Sequence, residues 1–216
     1  MKTITLKKNV FLILFILLCS VTSVYADNDG LITQQITVKL DKAGTLLSKI
    51  GNSKKYRITN LKVIGDIYGD DVRLLHDMAW QDGNLSVLDL SEANIVDGGY
   101  YYYYDYYYYT SKNKIGKYFF CDCDKLSKVI LPNSVTEICN CAFQNCKGLS
   151  SLELPSNLTI MGEAVFENCS NLTSLTLPSS LTTIGTLAFW CCSGLTSLTL
   201  PSSITTIEYG AFCDCI

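Results

Sequence analysis

The sequence predicts a β-rich α/β solenoid, with 23-residue coils that each lay a parallel strand on one concave face, short helical turns between strands and an N-terminal α/β cap. Three observations predict it. Pro132, Pro155, Pro178 and Pro201 are equally spaced along the chain, one per coil. Phe120, Phe143, Phe166, Phe189 and Phe212 keep that period, as do Cys123, Cys146, Cys169, Cys192 and Cys215. Leu126, Leu149, Leu172 and Leu195 open Leu-x-x-Leu-x-Leu segments ending at Leu131, Leu154, Leu177 and Leu200, the first with Val129 at its middle position. Several series in phase at a fixed period of roughly 20–30 residues define stacked units, each burying its apolar side against its neighbours.

One coil shows the logic. Leu172, Leu175 and Leu177 point inward, while Thr173, Ser174 and Thr176 remain available to water, the alternation of a half-buried strand. Proline ends that strand because it cannot donate to a continuing ladder. Leu181 to Ile184 returns as a second short extended segment, and Gly185 turns the chain. Ala188 and Phe189 plug the interior on a short helical turn, and Cys192 closes the coil.

The unit at 177–195, Leu-Pro-Ser-Ser-Leu-Thr-Thr-Ile-Gly-x-x-Ala-Phe-x-x-Cys-x-x-Leu, resembles the BspA-type leucine-rich repeat. The resemblance covers roughly 115–216, and the stretch from Ile36 to Val96 resembles the segment that often precedes such repeats. It implies a secreted or surface protein of a host-associated anaerobic bacterium, acting in adhesion or partner binding. It brings no catalytic residues.

Residues 27–84 read as the cap that shields the first core layer. Ile36 to Leu40 alternates like a strand, Ala43 to Ile50 reads as a helix stopped by Gly51, and Tyr56 to Ile67 is again strand-like. Asp71 is placed to cap a helix running to Ala79, with Val72, Leu75 and Ala79 on one face. The solenoid occupies 85–216, opening with Leu85-x-x-Leu88-x-Leu90. The separation of Leu90 from Leu131 exceeds one period by most of a second coil. The excess falls at about 97–114 and includes Tyr100–Tyr104, Asp105 and Tyr106–Tyr109, expected to leave the stack as a tyrosine-rich loop, either sticky or without fixed structure. Because Ile216 follows Cys215 directly, the last coil stops before its next strand. The expectation is a truncated copy, or an open end able to self-associate.

Residues 1–26 read as an export signal: Lys2, Lys7 and Lys8, then an apolar run from Val10 to Cys19, then Val24-Tyr25-Ala26 as the cleavage site. The run is shorter than the roughly 20 residues a membrane span needs. Leu18 before Cys19 is too large for a lipobox. The expected location is therefore secreted or cell-surface. Positions 1–26 hold three of the 17 Lys and Arg and none of the 20 Asp and Glu, leaving a net charge of −6 on the rest. Such a surface repels phosphate, which argues against nucleic acid as a partner.

No enzyme is expected, and no cofactor. His76 is the sole histidine and reads as a solvated helix residue, with no nucleophile or acid–base motif around it. Glu163 and Glu167 read as a solvated face. Cys121-x-Cys123, Cys139-x-Cys141, Cys213-x-Cys215 and Cys191-Cys192 lack the convergent spacing of a zinc site, and the in-phase cysteines read as small buried apolar groups. Export permits disulfides, with Cys139 to Cys141 or Cys121 the extra candidates, but pairing is not deducible from sequence. The anaerobic setting implied by the resemblance suits reduced thiols.

The candidate site is thus a surface: the residues between the strand leucines on the concave side, Lys128, Ile130, Ser151, Glu153, Ser174, Thr176, Ser197 and Thr199. Stacking sets them in two columns at about 4.8 Å per step. The expected ligand is a protein or glycan. Five strands about 16 Å long give roughly 400 Å², against about 800 Å² per partner in a stable interface. Binding would be weak, multivalent or aided by the tyrosine loop.

Overall fold

The computed structural model describes residues 30–215; the export signal expected over 1–26, and Ile216, lie outside them. In chain order the cap is β1 (Ile36–Lys39), α1 (Leu46–Ile50), β2 (Asn60–Ile67) and α2 (Gly69–Ala79), leading into β3 (Val87–Ile95). The insertion forms β4 (Gly98–Tyr103) and β5 (Tyr106–Thr110), followed by β6 (Lys114–Ile115). The coils then alternate three-residue and two-residue strands. These are β7 (Lys128–Ile130), β8 (Glu137–Ile138), β9 (Ser151–Glu153), β10 (Ile160–Met161), β11 (Ser174–Thr176), β12 (Thr183–Ile184), β13 (Ser197–Thr199) and β14 (Thr206–Ile207).

Two parallel sheets run along the stack. One has the order β1-β2-β3-β7-β9, and the pair β11-β13 lies beyond it; the other is β6-β8-β10-β12-β14. Between them sits one continuous core. Phe120, Phe143, Phe166, Phe189 and Phe212 stack with ring centroids 5.3–5.6 Å apart, within the offset-stacking range of aromatic pairs. Cys123, Cys146, Cys169 and Cys192 form a buried column beside them.

The expected helical turn is replaced by a different device. Ala188 N–H bonds to the Gly185 carbonyl at 3.2 Å, Trp190 N–H to Leu187 at 3.0 Å and Cys192 N–H to Phe189 at 3.1 Å, each spanning three residues. No helix follows, because Leu187 (φ 55°) and Cys191 (φ 58°) are left-handed. The same two positions recur as Tyr118 and Asp122, Cys141 and Asn145, Ala164 and Asn168. The N–H groups between them then point at the next coil: Phe120 to Ala142 O at 2.8 Å, Phe143 to Val165 O at 3.0 Å, Phe166 to Ala188 O at 2.8 Å. Backbone donors that a helix would use internally instead join coil to coil, which satisfies them in a buried setting. Asp and Asn tolerate the left-handed region better than most residues, and they link up: Asn145 donates to Asp122 at 2.7 Å and Asn168 to Asn145 at 2.9 Å.

Gly185 does not turn the chain through a positive φ. Its role is close approach: a Cβ there would run into the Gly162 carbonyl oxygen. In the cap, α1 is limited to Leu46–Ile50 and the second strand starts at Asn60 rather than Tyr56. Asp71 is not the N-cap of α2. It lies in the first turn, three residues after the N-cap Tyr68, whose N–H it accepts at 3.2 Å. It also accepts from Gly44 N–H at 2.5 Å and Leu46 N–H at 3.0 Å, so one buried carboxylate ties α1 to α2.

The tyrosine-rich insertion is an ordered hairpin rather than an open loop. β4 and β5 pair antiparallel with Tyr101 opposite Tyr108 and Tyr103 opposite Tyr106. Strand alternation explains why a run of one residue type orders itself. Tyr101 is buried and donates to Lys117 O at 2.8 Å, and Tyr103 donates to Asp122 at 2.6 Å and stacks on Tyr118 at 4.7 Å. Tyr100, Tyr102, Tyr104, Tyr106, Tyr107 and Tyr109 stay exposed. Gly69 admits the hairpin backbone against α2, since a Cβ there would collide with the Tyr100 nitrogen.

Candidate binding face

The outward positions of the first sheet form two registered columns. Asn60, Val87, Lys128 and Ser151 are successive partners in one, and Lys62, Asp89, Ile130 and Glu153 in the other. On the following pair, Ser174 faces Ser197 and Thr176 faces Thr199. Each of these residues flanks a strand residue that points into the core, such as Leu88, Val129, Leu152 or Leu175. Ser174, Thr176, Ser197 and Thr199 are exposed, as is Glu153; Lys128, Ile130 and Ser151 are half-buried.

The face has two halves of different chemistry. Toward the cap it is charged: Lys62 contacts Glu92 at 2.7 Å and Asp89 at 3.3 Å, and Lys128 contacts Glu153 at 3.5 Å. The Glu92 carboxylate raises the Lys62 pKa, while burial opposes the shift. At Asp89, burial pushes upward, but hydrogen bonds from Ser91 and the Lys62 ammonium bring the net shift below the ordinary value. Toward the later coils it carries only hydroxyls. Asp89 and Lys62 are readable from the Leu88-x-Leu90 and Leu61-x-Val63 alternations; Glu92 is not, because the register shift between Lys62 and Ile64 breaks the simple pattern there.

The halves meet at an interruption. Among the described strands, β9 and β11 are neighbours without a hydrogen-bonded register, whereas β7 with β9 and β11 with β13 are paired. A depression of about 500 Å³ opens at this seam, lined by Ser151, Glu153, Ser174 and Thr176 with Asn133 and Pro178 at its end. Four of the eight sequence-predicted residues therefore border one concavity, and the other four flank it on β7 and β13.

The remaining candidates fall elsewhere. His76 is not solvated. Its Nε2 lies 2.9 Å from the Cys121 carbonyl oxygen, and its ring packs against Trp80 and Tyr103. Burial lowers its pKa. The folded insertion creates that environment, which a helix read by itself does not reveal. Glu163 is exposed, and Glu167 is half-buried and accepts from Gln144 at 2.8 Å. Every described cysteine is a free thiol. Burial raises the Cys121 and Cys139 thiols to about 12, far from the reactive thiolate range. Among the described residues no cluster of three or more His, Cys, Asp or Glu could hold a metal ion, and no helix is long and apolar enough to cross a membrane.

Six copies of the BspA type leucine rich repeat region match residues 70–216. The chain belongs to the BspA-type leucine-rich repeat family. The match reaches back through α2 and the irregular first repeat, beyond the 115 at which the regular pattern begins. Among solved structures, this family member is similar to a T. pallidum leucine-rich repeat protein at 36% identity and a TM-score of 0.47, over 47% of this chain and 48% of that one. A leucine-rich repeat protein from Bacteroides ovatus is 27% identical with a TM-score of 0.39, over 55% and 36% of the two chains. A leucine rich cell surface protein from Faecalibacterium prausnitzii is 27% identical with a TM-score of 0.36, over 54% and 38%. The match spans about half of the first of these proteins and less of the other two. No curated protein matches the chain. Leucine-rich-repeat solenoids are typically binding scaffolds rather than enzymes, using a surface that stacked coils repeat.

Proposed function

We propose that this BspA-type repeat protein is an exported, non-enzymatic adhesion module, secreted or held at the cell surface, that binds a protein or glycan of a host or neighbouring cell. Its ligand would lie on Lys128, Ile130, Ser151, Glu153, Ser174, Thr176, Ser197 and Thr199. The observation that carries the reading is the seam between β9 and β11, where registered outward side chains border a concavity of about 500 Å³. Pockets of roughly 300–1,000 Å³ with a few convergent polar groups are the usual size of specific sites. The exported location rests on the leader at 1–26, and the negative charge of the rest supports a partner other than nucleic acid.

β1 and β2 enlarge the face beyond five strands, but seven strands about 16 Å long at about 4.8 Å spacing still give only roughly 540 Å². Affinity would therefore depend on several copies or on a second contact region.

The test is binding of the purified chain to immobilised matrix proteins, mucins and glycans beside a Thr176→Arg/Thr199→Arg variant of equal circular dichroism. A ligand retained by the parent and lost by the variant supports the face. Absence of binding, with oligomers seen by light scattering, replaces adhesion by self-association.

A further inference from the structure

Apart from the strand face, the ordered hairpin builds a second concavity with α2. A pocket of about 170 Å³ is lined by Trp80, Tyr102, Tyr103 and Tyr104 together with Arg73, His76 and Asp77. Its walls come from segments brought together only by folding: one flank of the helix, the residue that ends it, and the tip of the hairpin. Trp80, Tyr102 and Tyr104 are exposed, so their rings remain open to a ligand. Tyr103 is fixed from behind by its hydrogen bond to Asp122 and its stack on Tyr118, which orders the pocket before anything binds.

The polar groups narrow the ligand. Asp77 is half-buried with no hydrogen bond to its carboxylate; burial raises its pKa, and the neighbouring charges of His76, Lys55 and Arg73 oppose the rise. Arg73 makes only a long contact of 3.7 Å to Asp70. Since the Cys121 carbonyl can only accept, His76 Nε2 must donate to it, which leaves Nδ1 of the neutral ring as an acceptor. The pocket thus offers aromatic faces, one cation, one anion and one neutral acceptor. A cationic ligand would meet Arg73 and an anionic one would meet Asp77. A neutral ring with an apolar C–H face and polar hydroxyl edges satisfies all of them.

We infer that the pocket between α2 and the tyrosine hairpin binds a pyranose ring of a neutral glycan, stacked on the aromatic side chains with its hydroxyls on Arg73 and Asp77. At about 170 Å³ the pocket is smaller than a drug-sized site and takes one ring. A neighbouring depression of about 320 Å³ shares Arg73, Asp77 and Tyr102 and extends to Lys55 and Asp70, giving the next sugar a path.

The test is saturation-transfer NMR of the purified chain with methyl glycosides of glucose, galactose, mannose and N-acetylglucosamine, with tetramethylammonium as a cation probe. A contact limited to one ring sets a Kd of about 1 mM. Saturation should concentrate on the C–H protons of one sugar face. Tyr104→Asn, which keeps the left-handed turn (φ 51°), should weaken binding about tenfold, and Asp77→Asn should also weaken it. Both variants should keep the parent circular dichroism. Thr176→Arg should change nothing, which separates this site from the strand face. Transfer to no glycoside, unchanged transfer in Tyr104→Asn, or saturable binding of tetramethylammonium in place of sugar would each overturn the inference.

Discussion

The Cys146 thiol donates to the Phe120 carbonyl oxygen of the preceding coil, 2.9 Å away. Cys169 repeats the bond to Phe143 at 3.2 Å and Cys192 to Phe166 at 3.0 Å. The cysteine column therefore does more than fill space: each thiol adds a second donor to a carbonyl that already accepts the backbone N–H three residues on. Cys169→Ala removes the bond and leaves a small cavity, costing about 1–2 kcal/mol. Cys169→Ser retains a donor but replaces an apolar atom with a polar one, and should also destabilise. Urea titration of both variants beside the parent checks the order. A loss for Ala smaller than about 0.5 kcal/mol, the low end for a net hydrogen bond, would show that the bond contributes little.

Thiol labelling follows from the same column. Cys123, Cys146 and Cys169 are fully buried, and burial raises their pKa well above the ordinary value. Cys213 is exposed. Dithiobisnitrobenzoate should modify Cys213 quickly in the native protein and the column only after denaturant is added. Mass spectrometry of the labelled peptides reads the result, and rapid native labelling at Cys169 would contradict the described packing.

Asp71 joins two helices with one side chain. Burial raises its pKa despite three backbone N–H donors. Asp71→Ala leaves the N–H groups of Gly44, Leu46 and Tyr68 without that acceptor, so a loss of about 3 kcal/mol is expected, with Asp71→Asn intermediate. Hydrogen exchange at Leu46 should accelerate in both. Unchanged exchange would remove the proposed tie.

His76 gives the cap a pH dependence of definite sign. Burial lowers its folded pKa below the ordinary 6.5, while hydrogen bonding to Cys121 and the nearby Asp77 and Asp122 partly oppose this. The unfolded chain therefore takes up the proton first, and stability is lost as pH falls through about 6.5 toward the folded value. Asp71 and Asp77, whose pKa values are raised, act in the opposite direction at lower pH. The melting temperature should fall between pH 7.5 and 5.5 in the parent and fall less in His76→Gln. Equal slopes would remove His76 as the cause.

Gly185 tests the spacing between coils. Gly185→Ala drives a methyl group into the Gly162 carbonyl, a backbone group that cannot swing aside. Overpacking of this kind costs about 1–3 kcal/mol. Calorimetry should show a lower melting temperature than Thr182→Ala in the same coil, where the side chain is exposed.

Much of the fold is legible because the period carries it. The phenylalanine and cysteine series mark the core, and alternation such as Thr173 to Leu177 marks which strand residues face outward. The turn reads as helical in the sequence because its true signature is backbone conformation: Tyr118, Cys141, Ala164 and Leu187 share a left-handed φ but no side-chain type. The hairpin is hidden for the opposite reason. Ten consecutive positions with nine tyrosines show no polar–apolar alternation, and only the fold divides them into buried and exposed. The environment of His76 and the aromatic pocket depend on that division, so neither can be read before it.

The bonds that join Phe120 to Ala142, Phe143 to Val165 and Phe166 to Ala188 are the same junction repeated. A coil so connected presents matching donors and acceptors to any copy of itself. Duplication or loss of one whole coil by unequal recombination would leave each remaining joint intact. Array length is therefore open to change in whole steps, and each added coil would lengthen the outward columns by one rung while the cap and its hairpin stay as they are.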